Sequence, residues 1–355
     1  MELGISLSDI LRSCDGDIFS SRARPWKPDW IMSMSFGAVV VGRNEGERLK
    51  RCLQALTSAD LVVYVDSGST DGSPDWARSH GAEVVELDMS RPFTAARARN
   101  AGFVRLRERL PDVRYVQFVD GDCEIVAGWP DRAVEFLGIN GAVAAVCGRR
   151  RERWPDRSIY NWLCDQEWAG PTGEVQAFGG DVMMRADALV QVKGYCDALI
   201  AGEDPELGVR LRAAGWRLWR LEGDMTLHDA AMTRFGQWWL RIVRSGYAFA
   251  EGAQMHGRSP ARHWVWESRR AWLWGVWLPL VCAVVSVVFG SWGWLIWMIY
   301  PVQVLRQTLR NHGPLRERAA MASFQVLARF AEALGQLKYF RDRAFGFQAR
   351  LIEYK

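Results

Sequence analysis

The chain has 355 residues, of which 49% are hydrophobic and 24% charged, and its formal net charge is +4. This composition is typical of a globular protein, and so small a net charge argues against a nucleic-acid partner. The seven cysteines are odd in number and contain no Cys-x-x-Cys pair. We therefore expect reduced thiols and neither a zinc ribbon nor a disulfide framework.

From residue 36 onwards, short apolar runs of the buried-strand type alternate with segments of helical periodicity. The predicted strands and the helices between them are 36–42, 45–56, 61–68, 73–81, 82–87, 94–110 and 115–122. Such alternation predicts right-handed βαβ units and an α/β fold with a doubly wound, mostly parallel sheet, which binds ligands at the carboxyl ends of its strands. Residues 1–35 lack the pattern, and we interpret them as an N-terminal extension.

The pattern becomes looser between 142 and 255. We predict a further strand at 142–150, a loop and helix at 202–218, and a helix at 234–252. The expected catalytic domain therefore spans residues 36–255.

Residues 271–305 contain no charged side chain over 35 residues, which predicts a membrane-associated segment within 256–310. One span needs about 20 residues, so we expect a hairpin that turns at 290–293. Arginines flank both ends, at 269, 270, 306 and 310, and the positive-inside rule places both flanks in the cytosol. A single span over 271–289 and a hairpin that does not cross completely are the alternatives.

The remaining segment, 311–355, is predicted to be basic and amphipathic. From residue 306 to the end the chain has ten basic and four acidic side chains. A helix at 321–343 would place five apolar side chains on about one face, as an interfacial helix does: Phe324, Leu327, Phe330, Leu334 and Leu337. The alternative is that this helix packs on the catalytic domain.

Two carboxylates, Asp120 and Asp122, follow the predicted strand 115–122. Like charges this close resist burial unless a cation accompanies them. Carboxylate oxygens suit Mg²⁺ or Mn²⁺, which also bind nucleotide phosphates. The pair therefore predicts a metal site, with a solvated turn as the alternative.

Four further side chains are chemical candidates. Asp66 ends a predicted strand, where it would accept a hydrogen bond from a base edge or belong to a turn. Glu203 and Asp204 precede a helix, where a carboxylate either complements the helix dipole or acts as a general base. His228 is one of five histidines and is either structural or a metal ligand.

Seven motifs, in this order, resemble those of the family 2 glycosyltransferases over roughly residues 39–230: VVVGRNEGERLKRCL, VDSGSTDGS, RARNAGF, FVDGDCEI, GGDVMMRADAL, GEDPELGVRLRAAG and LHD. That family has the A-type nucleotide-sugar fold and inverts the configuration of the sugar that it transfers. The resemblance implies a nucleotide-diphosphate sugar as donor and Mn²⁺ or Mg²⁺ as cofactor.

The resemblance also assigns roles to individual residues. It implies that Asp204 is the general base, with Glu203 as the first substitute. It implies that Asp120, Asp122 and His228 hold the metal. The residues that it places around the nucleotide and the donor sugar are Asn44, Glu45, Asp66, Arg99, Asp120, Gly180 and Asp181.

Processive members of the family carry a Gln-x-x-Arg-Trp signature, whereas this chain reads GQWWLRIVRSG at the comparable place. We therefore expect transfer of a single sugar. Gln237, Arg241 and Arg244 are candidates to meet a diphosphate on the acceptor. The apolar segment favours a lipid-linked acceptor at the cytosolic face of the inner membrane, in surface polysaccharide or glycolipid assembly.

Two other classes of protein fit some of these residues. A phosphohydrolase of the haloacid dehalogenase type also carries Asp-x-Asp after a buried strand, but there the pair ends the first strand. A non-catalytic membrane protein with a degenerate transferase domain is the other alternative.

Overall fold

A computed structural model describes residues 36–258 and 260–347, which belong to one compact unit. The predicted N-terminal extension 1–35 lies outside the described residues, as do the last eight. The division of the rest into three segments stays a prediction.

The helices and strands have these bounds, in chain order: β1 Phe36–Gly42, α1 Glu47–Gln54, β2 Leu61–Asp66, α2 Ser73–Ser79, β3 Glu83–Glu86, α3 Ala95–Arg109, β4 Tyr115–Asp120, β5 Cys123–Ile125, α4 Trp129–Ile139, β6 Val143–Glu152, α5 Ile159–Glu167, β7 Gly173–Glu174, β8 Val182–Arg185, α6 Ala186–Gln191, α7 Glu203–Ala213, β9 Arg217–His228, α8 Phe235–His256, α9 Val265–Trp272, α10 Leu278–Phe289, α11 Ile299–Arg310 and α12 Leu315–Ala344. A 3₁₀ turn covers Pro155–Arg157, a π segment covers Leu273–Trp277, and a 3₁₀ segment covers Gly290–Met298.

The first half of the sheet has the predicted parallel topology. Its strands lie in the order β3-β2-β1-β4, and each neighbouring pair is parallel. Helix α3 packs closely on β1, since a Cβ added at Gly37 would lie 2.3 Å from Leu106 Cδ1. Because parallel strands end at one edge, the polar residues that follow β1 and β4 meet at the same edge of the sheet.

The second half of the sheet is mixed rather than parallel. Strand β8 runs antiparallel between β4 and β6, and β9 pairs in parallel with β6 but antiparallel with β5 and β7. The predicted α/β fold is confirmed, with a mixed sheet. The register of β9 places His228 opposite both Cys123 on β5 and Glu152 on β6.

Residues Val265–Arg310 form a helical stretch that is interrupted at Gly290. By length and composition this stretch could cross a membrane. The chain reverses at Gly290, whose φ is 56°, as the sequence predicted. The returning segment contacts the outgoing one, since Trp297 Nε1 donates to Ser286 Oγ at 3.1 Å and the Tyr300 hydroxyl donates to the Trp274 carbonyl at 2.9 Å. The segment is therefore a hairpin in the folded chain.

Helix α12 packs on α8 through small side chains. An added Cβ at Gly246 would lie 2.1 Å from the Glu332 carbonyl oxygen, and one at Gly335 would lie 2.0 Å from the Val243 carbonyl oxygen. The predicted single apolar face is divided, because the Phe324 ring lies 4.9 Å from that of Trp238. Three other predicted members of that face are exposed: Leu327, Leu334 and Leu337. The helix thus packs on the catalytic domain and still exposes an apolar stripe.

Candidate active site

A cavity of about 860 Å³ opens at the carboxyl ends of β1 and β4, and its walls include parts of α7 and α8. Most of the predicted site residues line it: Asn44, Glu45, Arg99, Asp120, Asp122, Gly180, Glu203, Asp204, His228, Arg241 and Arg244. The sheet topology accounts for this convergence, because βα loops and strand ends from distant parts of the sequence share one edge.

Three predicted site residues lie outside the cavity lining. The Asp66 carboxylate accepts hydrogen bonds from the Tyr64 hydroxyl at 2.8 Å and from the amides that follow it in its turn. Gln237 Oε1 accepts from the amides of Thr233 and Arg234 at 3.0 and 3.1 Å, which makes it a cap of α8. Asp181 is buried behind the cavity wall. Roles for these three in ligand binding stay predictions.

His228 lies between two carboxylates. Its Nε2 atom is 3.3 Å from Asp122 Oδ2, and its Nδ1 atom is 3.4 Å from Glu152 Oε2. If Nδ1 carries the proton that faces Glu152, then the Nε2 lone pair faces a carboxylate oxygen. Two acceptors at this distance need a proton or a metal cation between them.

The donor set fits a divalent metal. Asp122 and His228 each offer one ligand atom, and these atoms lie within 4.8 Å of each other and of Cys123 Sγ. A histidine whose other ring nitrogen faces a carboxylate is the usual arrangement of a metal-bound imidazole. Burial and the nearby acids raise the pKa of the Cys123 thiol well above its ordinary value. The imidazole and the carboxylate are therefore the better ligands.

Arg99 joins the metal-site acids to the predicted base. It donates to Asp120 Oδ1 at 2.8 Å and to Glu203 Oε1 at 2.7 Å, and its Nη1 atom lies 3.5 Å from Asp204 Oδ1. The guanidinium is buried against the Tyr195 ring. This one arginine therefore holds together acids from the end of β4 and the start of α7.

Asp204 has the electrostatics of a base. Burial, together with the charge of the neighbouring Glu203 and against the opposite effect of Arg99, raises the pKa of its carboxyl to about 8. Among the described residues, none donates a hydrogen bond to Asp204 Oδ1. A buried acceptor without a donor is costly, and the hydroxyl of a substrate would satisfy it.

Arg150 is a site residue that the sequence patterns did not single out, and it lies half-buried between two acids. It donates to Asp181 Oδ2 at 2.8 Å and to Asp120 Oδ2 at 3.0 Å. Thr226 and the Asp120 amide also donate to Asp181. In the sequence, Arg150 is one of three consecutive arginines after an apolar run, so only the strand register distinguishes it from its neighbours.

Glu152 and Glu167 are two further site residues that the sequence patterns did not predict. Glu152 is held by Asn161 Nδ2 and by the Ala230 amide, and it orients His228 from behind. Glu167 accepts a two-pronged ion pair from Arg241 at 2.7 and 3.1 Å. Neither residue lies in a motif or next to one, so their roles depend on tertiary packing.

Gly180 is required by the close approach of its neighbours. An added Cβ there would lie 2.4 Å from Arg99 Nη2 and 2.7 Å from Asp120 Oδ2. At the adjacent Gly179, an added Cβ would meet no atom of the described residues within 4 Å. In the Gly-Gly-Asp sequence, a side chain at Gly180 would therefore clash with its neighbours, whereas there is space for one at Gly179.

Residues 38–174 match the family model described as Glycosyl transferase family 2. The succinoglycan biosynthesis protein ExoA of Rhizobium meliloti (strain 1021) is 25% identical in an alignment of 208 residues that covers 54% of this chain and 62% of that protein. The resemblance seen in the motifs is confirmed. The chain spans less than two thirds of the length of this relative.

A solved structure of similar fold supports the topology described above. The mannosyltransferase PcManGT from Pyrobaculum calidifontis, in complex with GDP-Man and Mn²⁺, is 20% identical, with 85% of this chain and 86% of that chain covered at a TM-score of 0.56. S. aureus TarS 1–349 is 14% identical, with 87% and 92% covered at a TM-score of 0.47. The first of these supports the predicted A-type fold. Asp120 ends the fourth strand, unlike the aspartates of a dehalogenase-type phosphohydrolase.

Proposed function

We propose that this chain, whose residues 38–174 match the family 2 glycosyltransferase model, moves one sugar from a nucleotide-diphosphate sugar to a lipid-linked acceptor, with inversion and with a divalent metal. The observation that carries the proposal is the buried pair Asp122–His228, 3.3 Å apart on the wall of the cavity. Two hydrogen-bond acceptors at that spacing can bind a metal cation between them. A metal cation at this position can in turn bind the oxygens of a diphosphate.

The donor would lie along the β1–β4 edge. Asn44 and Glu45 line the cavity after β1, and Arg99, Asp120 and Gly180 line it on the opposite side. Mn²⁺ or Mg²⁺, held by Asp122 and His228 with Asp120 beside them, would neutralise charge on the leaving diphosphate. That PcManGT was solved with GDP-Man and Mn²⁺ supports this class of donor and metal.

Asp204 would take the proton of the acceptor hydroxyl. A carboxyl group with its pKa raised to about 8 is a stronger base than an ordinary aspartate. Asp204 lines the same cavity as the metal ligands, and its Oδ1 atom accepts no hydrogen bond from the described residues. One base on the acceptor side and one cation on the leaving-group side are the parts that a direct displacement needs.

We place the enzyme at the cytosolic face of the inner membrane. The hairpin exposes many large apolar side chains, including Val287, Phe289 and Trp292 at its far end, of which Val287 is 85% exposed. Such a surface on a folded chain indicates a membrane or a large partner. Basic residues at both bases of the hairpin suit anionic lipid headgroups. The name of the ExoA relative supports polysaccharide assembly as the setting.

A donor screen tests the proposal. Purified full-length protein is mixed with membrane lipid extract and each common radiolabelled nucleotide sugar, and label is followed into the lipid phase. We expect one donor to label lipid, loss of labelling with a chelator, and recovery with Mn²⁺ or Mg²⁺. The Asp122→Asn variant should not recover. Label that enters only a water-soluble product would overturn the lipid acceptor, and full activity of Asp122→Asn in chelator would overturn the metal.

A further inference from the structure

A second cavity, of about 600 Å³, adjoins the first. Glu167, Ser245 and Phe249 line both of them. The second cavity lies between α5, α8 and the N-terminal half of α12, away from the metal ligands and from Asp204. The two cavities thus share a junction on α5 and α8.

The inner part of the second cavity is largely apolar. Trp238 and Phe324 form an edge-to-face pair there with ring centroids 4.9 Å apart, and Leu163 and Ala328 belong to the same apolar cluster. The charged groups that line it are mostly paired within the protein, as Arg329 donates to Glu332 at 2.7 Å and Arg318 donates to the Thr308 and Asn311 carbonyls at 3.1 Å. Such a cavity suits a hydrocarbon chain better than a phosphate.

The junction has the opposite character. Arg241 and Arg244 line the first cavity next to it, and Arg241 is held there by Glu167, whose side chain is 54% exposed. A phosphate on an acceptor could replace the exposed Glu167 carboxylate as the partner of Arg241. Charge at the junction and apolar side chains beyond it match a molecule with a phosphate head and a hydrocarbon tail.

Part of the second cavity lies next to the hairpin. Asn311 and His312 line it and directly follow Arg310, the last residue of the apolar helical stretch. A lipid tail that leaves the bilayer beside the hairpin would be close to these two residues. The second cavity therefore has lining residues in common with the catalytic cavity and others that adjoin the hairpin.

From these contacts we infer that the second cavity binds the head-proximal part of the acceptor's hydrocarbon chain, with the acceptor phosphate at the Arg241–Glu167 junction. The inference rests on the proposed function and specifies its acceptor. The acceptor is a lipid phosphate or diphosphate, and the cavity contacts the carbons of its chain that are nearest to the phosphate. A water-soluble saccharide would have no use for the apolar part of the cavity.

Two probes with the same head group and different chains test the inference: dimethylallyl diphosphate and farnesyl diphosphate. Their dissociation constants are measured by calorimetry on the full-length protein in lipid nanodiscs. Burial of about two CH₂ groups corresponds to a ~10-fold change in affinity. The farnesyl chain is longer than the dimethylallyl chain by more than two carbons, so we expect the wild type to bind farnesyl diphosphate at least ~10-fold more tightly.

A variant that narrows the cavity and a matched control complete the test. Gln325→Trp places a large ring at a lining position of α12, whereas Leu327→Trp changes an exposed position on the same helix that does not line the cavity. We expect Gln325→Trp to lose the ~10-fold preference for the longer chain and Leu327→Trp to keep it. Nucleoside diphosphate binding should stay unchanged in both, which confirms that they are folded.

The outcomes separate the inference from the proposed function. Equal binding of both probes by the wild type, or an unchanged preference in Gln325→Trp, would overturn the inference alone. So would tight binding of a lipid-free oligosaccharide that Gln325→Trp weakens. If the wild type binds neither nucleoside diphosphates nor nucleotide sugars, the proposed function itself fails.

Discussion

Individual charges in this site are balanced by two arginines, of which Arg99 is buried and Arg150 is half-buried. Arg99 contacts Asp120, Glu203 and Asp204, and Arg150 contacts Asp120 and Asp181. A like-charged group of carboxylates would not stay buried without these partners. Because each arginine contacts more than one acid, a displacement of one carboxylate would also move the carboxylates that share its arginine.

Gly180 and Gly179 give a matched pair of substitutions. A Cβ at Gly180 would push apart Arg99 and Asp120, which it would approach to 2.4 and 2.7 Å, while Gly179 has open space. A misplacement of about 1 Å can cost about 10²-fold in rate. We expect Gly180→Ala to lower kcat/KM by about 10–100-fold and Gly179→Ala to change it little, as measured by donor-dependent transfer. Equal effects of the two substitutions would contradict the steric role of Gly180.

The pH dependence of transfer should follow Asp204. Its carboxyl must lose a proton to act as a base, and its pKa is raised to about 8. Activity of the enzyme should therefore rise with pH, with a midpoint well above the ordinary range of an aspartate. Glu203 contributes to the raised pKa, so Glu203→Gln should move the midpoint of the kcat/KM profile to lower pH.

A control for that shift is Glu108→Gln, which removes the same charge at an exposed position of α3. Its pH profile should coincide with that of the wild type. A Glu203→Gln profile that moves to higher pH, or does not move, would show that another group is the base.

Among the secondary-structure elements, the α8–α12 contact joins the catalytic domain to the C-terminal segment. The two helix backbones approach closely only because Gly246 and Gly335 lack side chains. Tyr339 packs against Tyr247 on the same side, with ring centroids 5.2 Å apart. The contact orients the helix that lines the second cavity.

Gly246→Ala should destabilise this contact. The added Cβ would lie 2.1 Å from a backbone oxygen, which cannot rotate away, so the helices must separate. Overpacking of this kind costs about 1–3 kcal/mol. Gly236→Ala on the same helix is the control, because a Cβ there meets nothing within 4 Å. Thermal unfolding in nanodiscs measures both, and equal midpoints would contradict the close crossing.

Sequence patterns identified the first half of the sheet better than the second. The runs before Gly42, Asp66 and Asp120 are continuous and apolar, so their strands and the polar residues after them could be predicted. Strand β9 carries Arg217, Arg220 and Glu222 within a long irregular pairing, and no periodicity marks it. The roles of Arg150 and Glu152 depend on its register against β6, which local patterns do not contain.

At the scale of the whole molecule, the proposed membrane location depends on the length and the flanks of the hairpin. From Ala271, where the uncharged run begins, to Phe289 the outgoing arm has 19 residues, which at 1.5 Å per residue is about 28 Å long. The hydrocarbon core of a bilayer is about 30 Å thick. The arm is thus close to the length of one crossing, and under the proposed topology its basic flanks favour insertion from the cytosolic face.

Cysteine labelling tests that topology. We expect a membrane-impermeant maleimide to label His312→Cys, at the base of the hairpin, in inside-out vesicles and not in intact cells. Ser291→Cys, at the turn, should be the poorer target in inside-out vesicles because it lies deepest in the membrane. Labelling of His312→Cys from outside intact cells would instead indicate a single span with an exported tail.

The proposed mechanism is a direct displacement at the sugar, in which Asp204 is the base and the nucleotide diphosphate is the leaving group. The anomeric configuration of the transferred sugar in the purified lipid product, read by NMR, tests it most directly. Inversion predicts a β-linked product from an α-linked donor, or the converse. A product that keeps the donor's configuration would contradict the account, because it requires a different chemical course from a single displacement.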